Sequence, residues 1–294
     1  MELIKNNQKK ATFFALLAAV LYALNSPFSK LLLGKIQPTM MAAFLYLGAG
    51  LGMLILGALR RFRNKDKKEK PLTKKELPFT VGMIVLDIAA PIFLMIGLKN
   101  TTAANAALLN NFEIVATSLI ALVIFKEVIT KRLWLAILLV TISSAILSFE
   151  DMSSFSFSVG SVFVLLACIC WGFENNCTRM LSSKNPLEIV VIKGFGSGFG
   201  SLCLAFAVGE ELPQLLFVAF ALLLGFVAYG LSIYFYIYAQ RDLGAAKTST
   251  YYSVAPFVGA GLSMIMFWQL PNLTYFIALI IMIIGTYLSV EDKS

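Results

Sequence analysis

Tyr22-Ala23-Leu24-Asn25-Ser26-Pro27-Phe28-Ser29-Lys30 is answered, 149 residues further on, by Trp171-Gly172-Phe173-Glu174-Asn175-Asn176-Cys177-Thr178-Arg179. Both segments start with an aromatic residue, end with a base, and carry polar residues at i+3, i+4 and i+7. That spacing puts Tyr22, Asn25, Ser26 and Ser29 on one side of a helix, and Trp171, Glu174, Asn175 and Thr178 on one side of another. Other positions correspond too. At an offset of 148, Pro38 matches Pro186, and Gly48 and Gly52 match Gly196 and Gly200. At 142, Ala103-Ala104 matches Ala245-Ala246, Phe125 matches Phe267, and Glu127 matches Gln269. A longer loop in the first half accounts for the shrinking offset.

Both segments lie in apolar surroundings. The 294 residues are 59% hydrophobic and 14% charged, with a mean hydropathy of +0.83. A soluble domain is less apolar and far more charged. Apolar runs of roughly 18–25 residues recur along the chain, the length a helix needs to cross about 30 Å of hydrocarbon. They are continuous and lack the every-second-residue alternation of barrel strands, so the expected fold is an all-α polytopic membrane protein. Ten spans are expected, at 11–33, 39–59, 77–98, 102–125, 132–149, 159–182, 186–209, 212–240, 244–267 and 273–290. Residues 5–24 have the outline of a signal peptide, but the apolar stretch runs on to Leu33 and reads as an uncleaved first helix.

The formal charge of +8 is local: nine of the 24 basic residues lie between Arg60 and Lys75, within the loop 60–76. Such a cluster marks a cytoplasmic loop facing lipid headgroups, and argues against nucleic acid as a partner. With the N-terminus inside, only Lys30, Lys35, Lys99 and Lys193 fall elsewhere than at cytoplasmic ends, while Glu150-Asp151 and Glu210-Glu211 lie outside. Both termini are therefore expected in the cytoplasm. Residues 1–150 and 151–294 then form two units of five spans. An odd number of spans makes the second unit enter the bilayer from the opposite side, which puts a site near mid-depth at their interface.

The aromatic-then-basic pattern Tyr22…Lys30 and Trp171-Gly172…Arg179, the run Gly97-Leu98-Lys99-Asn100-Thr101-Thr102-Ala103-Ala104-Asn105-Ala106, and Glu127 at the close of the fourth span together resemble the drug/metabolite transporter superfamily, in its EamA-type ten-helix branch. The resemblance covers essentially the whole chain, through loose motifs. It implies export of metabolites or amino acids driven by ion gradients or exchange, with some members importing amines. The chain departs from the pattern at Ile114, where the second repeat has Pro256, and at Gln269, which replaces the terminal acid. A hinge that depended on the proline would act in one half only.

Polar helix faces within lipid turn toward protein or water, so both stripes should face the interior. Three carboxylates lie within spans, Asp87, Glu113 and Glu174. Each costs about 3 kcal/mol at mid-bilayer on insertion scales, so each needs a reason. Coupling or gating is one reason, a cationic substrate another, and an ion pair with Lys193 or Lys30 a third. The expected substrate-binding set is Tyr22, Asn25, Ser26, Asn110, Trp171, Glu174, Asn175, Tyr234 and Tyr252. Asp87, Glu113 and Glu174 are the coupling or gating candidates. Aromatic faces beside carboxylates suit ammonium groups.

The chain has no histidine, and Cys168, Cys170, Cys177 and Cys203 lack paired spacing, so no metal, cofactor or catalytic set is expected. The run Gly194-Phe195-Gly196-Ser197-Gly198-Phe199-Gly200 follows no strand and no GK[ST] follows it, which fits helix packing better than nucleotide binding. The expected function is secondary transport of a small polar metabolite, an amino acid or amine, with protons or another ion as coupling partner and efflux as the favoured direction. Import of a choline-like organic amine is the alternative. An intramembrane enzyme would need a nucleophile–base pair, and a scaffold would need a soluble module; the sequence offers neither.

Overall fold

The computed structural model describes residues 2–62, 70–126, 129–151, 156–181, 183–243, 248, 251–268 and 271–289. Its helices are α1 (Glu2–Ala23), α2 (Asn25–Leu32), α3 (Pro38–Phe62), α4 (Leu77–Lys99), α5 (Ala103–Leu109), α6 (Phe112–Phe125), α7 (Lys131–Ser148), α8 (Val159–Leu181), α9 (Pro186–Ala207), α10 (Leu215–Gly225), α11 (Ser232–Leu243), α12 (Ala255–Phe267) and α13 (Leu273–Ser289). A short antiparallel ribbon of β1 (Phe149–Asp151) and β2 (Ser156–Phe157) joins α7 to α8 and departs from the all-α expectation. Glu127, Ala245-Ala246, Lys247, Gln269, Lys293 and residues 63–69 of the basic loop lie outside the described residues, as do the side chains of Glu150, Asp151 and Arg241.

Among the described residues, eight stretches are long and apolar enough to cross a membrane: Lys9–Leu32, Pro38–Arg61, Lys74–Lys99, Ala103–Ile124, Lys131–Ser148, Val159–Leu181, Pro186–Ala207 and Leu215–Ala239. Two shorter apolar helices follow, Ala255–Phe267 and Leu273–Ser289. Eight expected spans thus appear at full length among the described residues, and the last two expected spans contain the shorter helices. Large apolar side chains such as Leu54, Ile55, Leu59, Ile277, Ile280 and Ile284 point outward. Asn25, Ser29, Asp87, Glu174 and Lys193 are buried. This distribution is the reverse of a soluble protein's and suits a lipid surround.

Several spans are interrupted. Pro27 cannot donate a backbone hydrogen bond to Ala23, and the first span breaks at Leu24 between α1 and α2. The fourth breaks at Asn110 and Asn111 without any proline; Asn111 Nδ2 donates to the Leu108 carbonyl at 3.3 Å, bonding the turn with an amide. The corresponding turn at Ser253 and Val254 precedes Pro256. Both halves therefore break at nearly the same place, and the break does not depend on proline. The eighth span carries a π-helical turn over Phe226–Leu231, which includes Tyr229.

The helix contacts come in exchangeable pairs. α4 packs on α8 and α11 on α1; α6 on α8 and α12 on α1; α4 on α9 and α10 on α3. α3–α9 and α7–α13 each join a helix to its own counterpart. Single residues follow the same scheme. A Cβ on Gly172 would stand 2.9 Å from Thr117 N, and one on Gly259, the counterpart of Thr117, 3.1 Å from the oxygen of Ala23, the counterpart of Gly172. The centre is the α3–α9 crossing, where a Cβ on Gly194 would lie 2.4 Å from Gly50 Cα. The run from Gly194 to Gly200 is thus a packing surface.

Each loop after these two helices fastens to the other's N-terminus. The carboxylate of Glu210 accepts from Thr39 N at 3.0 Å and Met40 N at 2.6 Å, capping α3. On α9, Glu188 accepts from Leu72 N at 3.1 Å and Asn185 N donates to the Lys70 carbonyl at 2.9 Å. Lys184 pairs with Glu76 at 3.1 Å beside them.

Gly194→Val is expected to force α3 and α9 apart and lower the thermal midpoint of the detergent-solubilised protein, at an overpacking cost of about 1–3 kcal/mol. Gly261→Ala, at a position with no neighbour within 4 Å, should leave the midpoint unchanged.

Candidate functional site

α4, α8 and α9 bring three charges together in the interior. Lys193 Nζ lies 3.0 Å from Asp87 Oδ2 and 2.9 Å from Glu174 Oε1. Asp87 is fully buried, Glu174 is 2% exposed and Lys193 6%. Tyr46 OH donates to Asp87 Oδ1 at 2.8 Å, and the Thr178 hydroxyl donates to Glu174 Oε1. Burying one charge this deeply is prohibitive, and burying a set is feasible only when each group finds partners, as these do.

The third carboxylate has weaker support. Glu113, at the start of α6 beyond the asparagine break, is half-buried. Its Oε1 accepts from Asn175 Nδ2 at 2.6 Å, and the same amide reaches Thr117 Oγ1 at 3.3 Å. Glu113 lies within electrostatic range of Glu174 and Lys193, and of Tyr22, Tyr229 and Tyr252.

Those tyrosines form a continuous group. The Tyr22 ring lies 5.9 Å from Tyr229 and 5.8 Å from Tyr252; Tyr46 is 5.1 Å from Tyr229, and Tyr236 is 4.9 Å from Tyr252. Asn25 Nδ2 donates to Tyr229 OH at 3.1 Å, and Asn25 Oδ1 accepts from Ser29 Oγ at 2.9 Å. Ser232 Oγ lies 3.4 Å from Tyr252 OH and donates to the Ala18 carbonyl. Tyr22, Glu113, Asn175 and Tyr252 are half-buried, whereas Asp87, Glu174 and Lys193 are buried, so the more exposed edge of this group lies on the Glu113 side.

The structure thus joins Tyr22, Asn25, Glu174, Asn175 and Tyr252 of the expected binding set with Asp87 and Glu113. Ser26 and Trp171 are buried in the same helices, and Asn110 is buried at the break with no hydrogen-bond partner for its Oδ1 among the described residues. Tyr234 lies in a separate cluster with Met53, Val190 and Ile237; Arg60 sits 4.8 Å from its ring centroid. Lys193, Tyr46 and Tyr229 complete the site beyond the expected set. Lys193 had a signal, being a base well inside an apolar span, and Tyr229 stands at the position matching Asp87. Tyr46, among apolar neighbours, had none.

Lys30 is not part of the cluster. Its Nζ donates to the carbonyls of Leu98 at 2.5 Å, Thr101 at 2.6 Å and Lys99 at 3.1 Å, closing the C-terminal end of α4 where helix carbonyls lack partners. It also borders a 560 Å³ pocket with Asn105, Asn272 and Tyr275. The four cysteines are free, and no group of metal-ligating side chains occurs among the described residues.

The sequence profile of the EamA-like transporter family matches residues 9–149 and again residues 158–291. An uncharacterized transporter of Methanothermobacter thermautotrophicus is 23% identical over 288 residues, covering 92% of this chain and 83% of that one. The uncharacterized transporter YyaM of Bacillus subtilis is 24% identical over 250 residues, covering 78% of this chain and 77% of that one. A solved crystal structure with 15% sequence identity shares the fold at a TM-score of 0.67, over 95% of this chain and 97% of that one.

Lys30→Met removes three charged hydrogen bonds from the end of α4 and is expected to lower the thermal midpoint by the equivalent of about 1–3 kcal/mol. Lys35→Met, at an exposed position one turn on, should leave it unchanged in the same unfolding measurement.

Proposed function

Because this chain belongs to the EamA-like transporter family, and so is a multi-pass membrane protein of transporters rather than enzymes, we propose that it moves a small polar metabolite bearing an ammonium group, an amino acid or amine, across the cell membrane by alternating access. The observation that carries this reading is the charge balance of the interior: Asp87 and Glu174 hold Lys193, the one ammonium of the cluster among the described residues, and a third carboxylate, Glu113, stands nearby on Asn175. A buried surplus of negative charge calls for a cation. The half-buried tyrosines beside Glu113 offer ring faces to one, worth about 2 kcal/mol when desolvated.

In this reading the chain crosses the bilayer ten times, with α12 and α13 in the last two spans and both termini in the cytoplasm. Residues 1–150 and 151–294 are two inverted copies of a five-helix unit. The two profile matches and the exchangeable helix contacts support that arrangement. Transport is coupled to protons, to another ion or to exchange, and runs outward. A second reading, import of a quaternary amine of the choline type, is favoured by the four tyrosines Tyr22, Tyr229, Tyr236 and Tyr252, because such a cation donates no hydrogen bonds and is held by ring faces.

Purified protein screened by thermal shift against amino acids, primary amines and quaternary amines should be stabilised by members of one class. In proteoliposomes preloaded with that compound, labelled compound should accumulate by counterflow. Glu174→Gln should lower the counterflow rate by about tenfold or more, the loss expected for a charged hydrogen bond, while the protein remains monodisperse. An unchanged rate removes Glu174 from the site. Reporters fused to the two termini should both read the cytoplasm; opposite readings would rule out ten spans.

A further inference from the structure

Lys193 and Lys30 are both lysines within or at the end of apolar helices, but they are held differently. Lys30 meets three carbonyl oxygens, one for each N–H, and is fixed. Lys193 has two acceptors among the described residues, Asp87 Oδ2 and Glu174 Oε1, contributed by two different helices. The remaining donors to those carboxylates are fixed hydroxyls, Tyr46 on Asp87 and Thr178 on Glu174. If the lysine head is withdrawn, what is left is two carboxylates and two hydroxyls around a space the size of one –NH₃⁺ group.

We infer that the Lys193 ammonium occupies the seat of the substrate's own ammonium group, and that a primary alkylammonium binds between Asp87 and Glu174 by displacing it. The inference rests on the transport reading above for calling that alkylammonium a substrate. The seat itself follows from the geometry alone. An anionic substrate would have to reach Lys193 between two carboxylates that repel it. A cation meets attraction from the accessible side onward, where Glu113 and the Tyr22 and Tyr252 rings stand.

The exchange adds one positive charge to the interior, and a third carboxylate, Glu113, is at hand to balance it. Glu113 lies within electrostatic range of Lys193 and is hydrogen-bonded to a neutral amide, Asn175. In this exchange Glu113 takes up the displaced lysine, and two ammonium groups are then matched by three carboxylates. The four-carbon stem of Lys193 lets its head change partners. With the substrate gone, Lys193 returns and again neutralises the carboxylates that would otherwise be left unpaired.

The probe is n-butylammonium chloride, titrated into the full-length detergent-purified protein and followed by thermal shift. Sodium butyrate and n-butanol, of the same chain length, and potassium chloride serve as controls. Lys193→Met removes the internal competitor and keeps the stem. It should be stabilised by n-butylammonium with a midpoint concentration about tenfold or more below that of the wild type, because the seat is no longer mostly taken. The response should vanish in the double variant Lys193→Met with Glu174→Gln.

Equal midpoints in wild type and variant, or equal stabilisation by n-butanol or potassium chloride, would overturn the inference. So would a butyrate response in the wild type that is lost with Lys193. If the single variant is recovered only as aggregate, n-butylammonium present throughout extraction should restore a monodisperse protein where potassium chloride does not. Aggregate in both counts against the seat. Wild-type counterflow separates the two proposals. Its absence alongside n-butylammonium binding to Lys193→Met retires the transport reading and leaves the seat. Its presence without that binding retires the seat alone.

Discussion

The structure depends on the cost of placing charge where water is absent. A lone carboxylate or ammonium in a bilayer interior is so unfavourable that it must be paired or neutralised. Asp87, Glu174 and Lys193 satisfy this requirement only jointly, and they come from α4, α8 and α9. Those helices must therefore pack at one depth and in one rotational setting. The close crossing of α3 over α9 at Gly50 and Gly194 is what lets this happen, because larger side chains there would separate the two helices. Small residues set the distance and charged residues set the register.

Around this centre the halves are alike in packing and unlike in chemistry. The exchange of contacts holds for whole helices and for single atoms, as at Gly172 with Thr117 and Gly259 with Ala23. The polar residues do not follow it. Asp87 stands opposite Tyr229, Glu113 opposite Ala255, and Glu174 opposite Asn25. The backbone departs at the same place: the eighth span makes a π-helical turn around Tyr229, while the third stays α-helical through Asp87, whose carbonyl Pro91 leaves without its backbone donor. A symmetric frame thus carries an asymmetric interior, with the negative charges contributed by α4, α6 and α8 and the ring faces mostly by α1, α3, α11 and the turn before it.

Much of this could be read from the sequence, for physical reasons. Lipid demands long uninterrupted apolar helices, so eight spans were evident from composition and length, within a few residues at their ends. The stripes at Tyr22 and Trp171 were evident because a polar face on a buried helix has to meet something polar. Asp87, Glu113 and Glu174 stood out as charges in hydrocarbon. Tyr46 did not, since a tyrosine among Leu and Ala residues is common in any helix near an interface, and only the crossing of α3 with α4 brings its hydroxyl to Asp87. The ribbon after α7 left no clear mark because its strands are short. The proline at 256 invited a hinge argument that proved too narrow: Asn110 and Asn111 make the same break through an amide hydrogen bond.

The loops that cap α3 and α9 carry a mechanical consequence. Glu210, from the loop following α9, grips the start of α3, and the strand Lys70–Leu72, from the loop following α3, grips the start of α9. The two central helices are thereby tied at both ends, each by the other's trailing segment, like two rods joined by a strap at either end. Opening the pair at one end requires breaking charged and backbone hydrogen bonds there, while the opposite strap remains as the pivot. Any tilt between these helices is therefore a rocking about a tied end, and a parallel separation, which would sever both straps at once, is the more expensive movement.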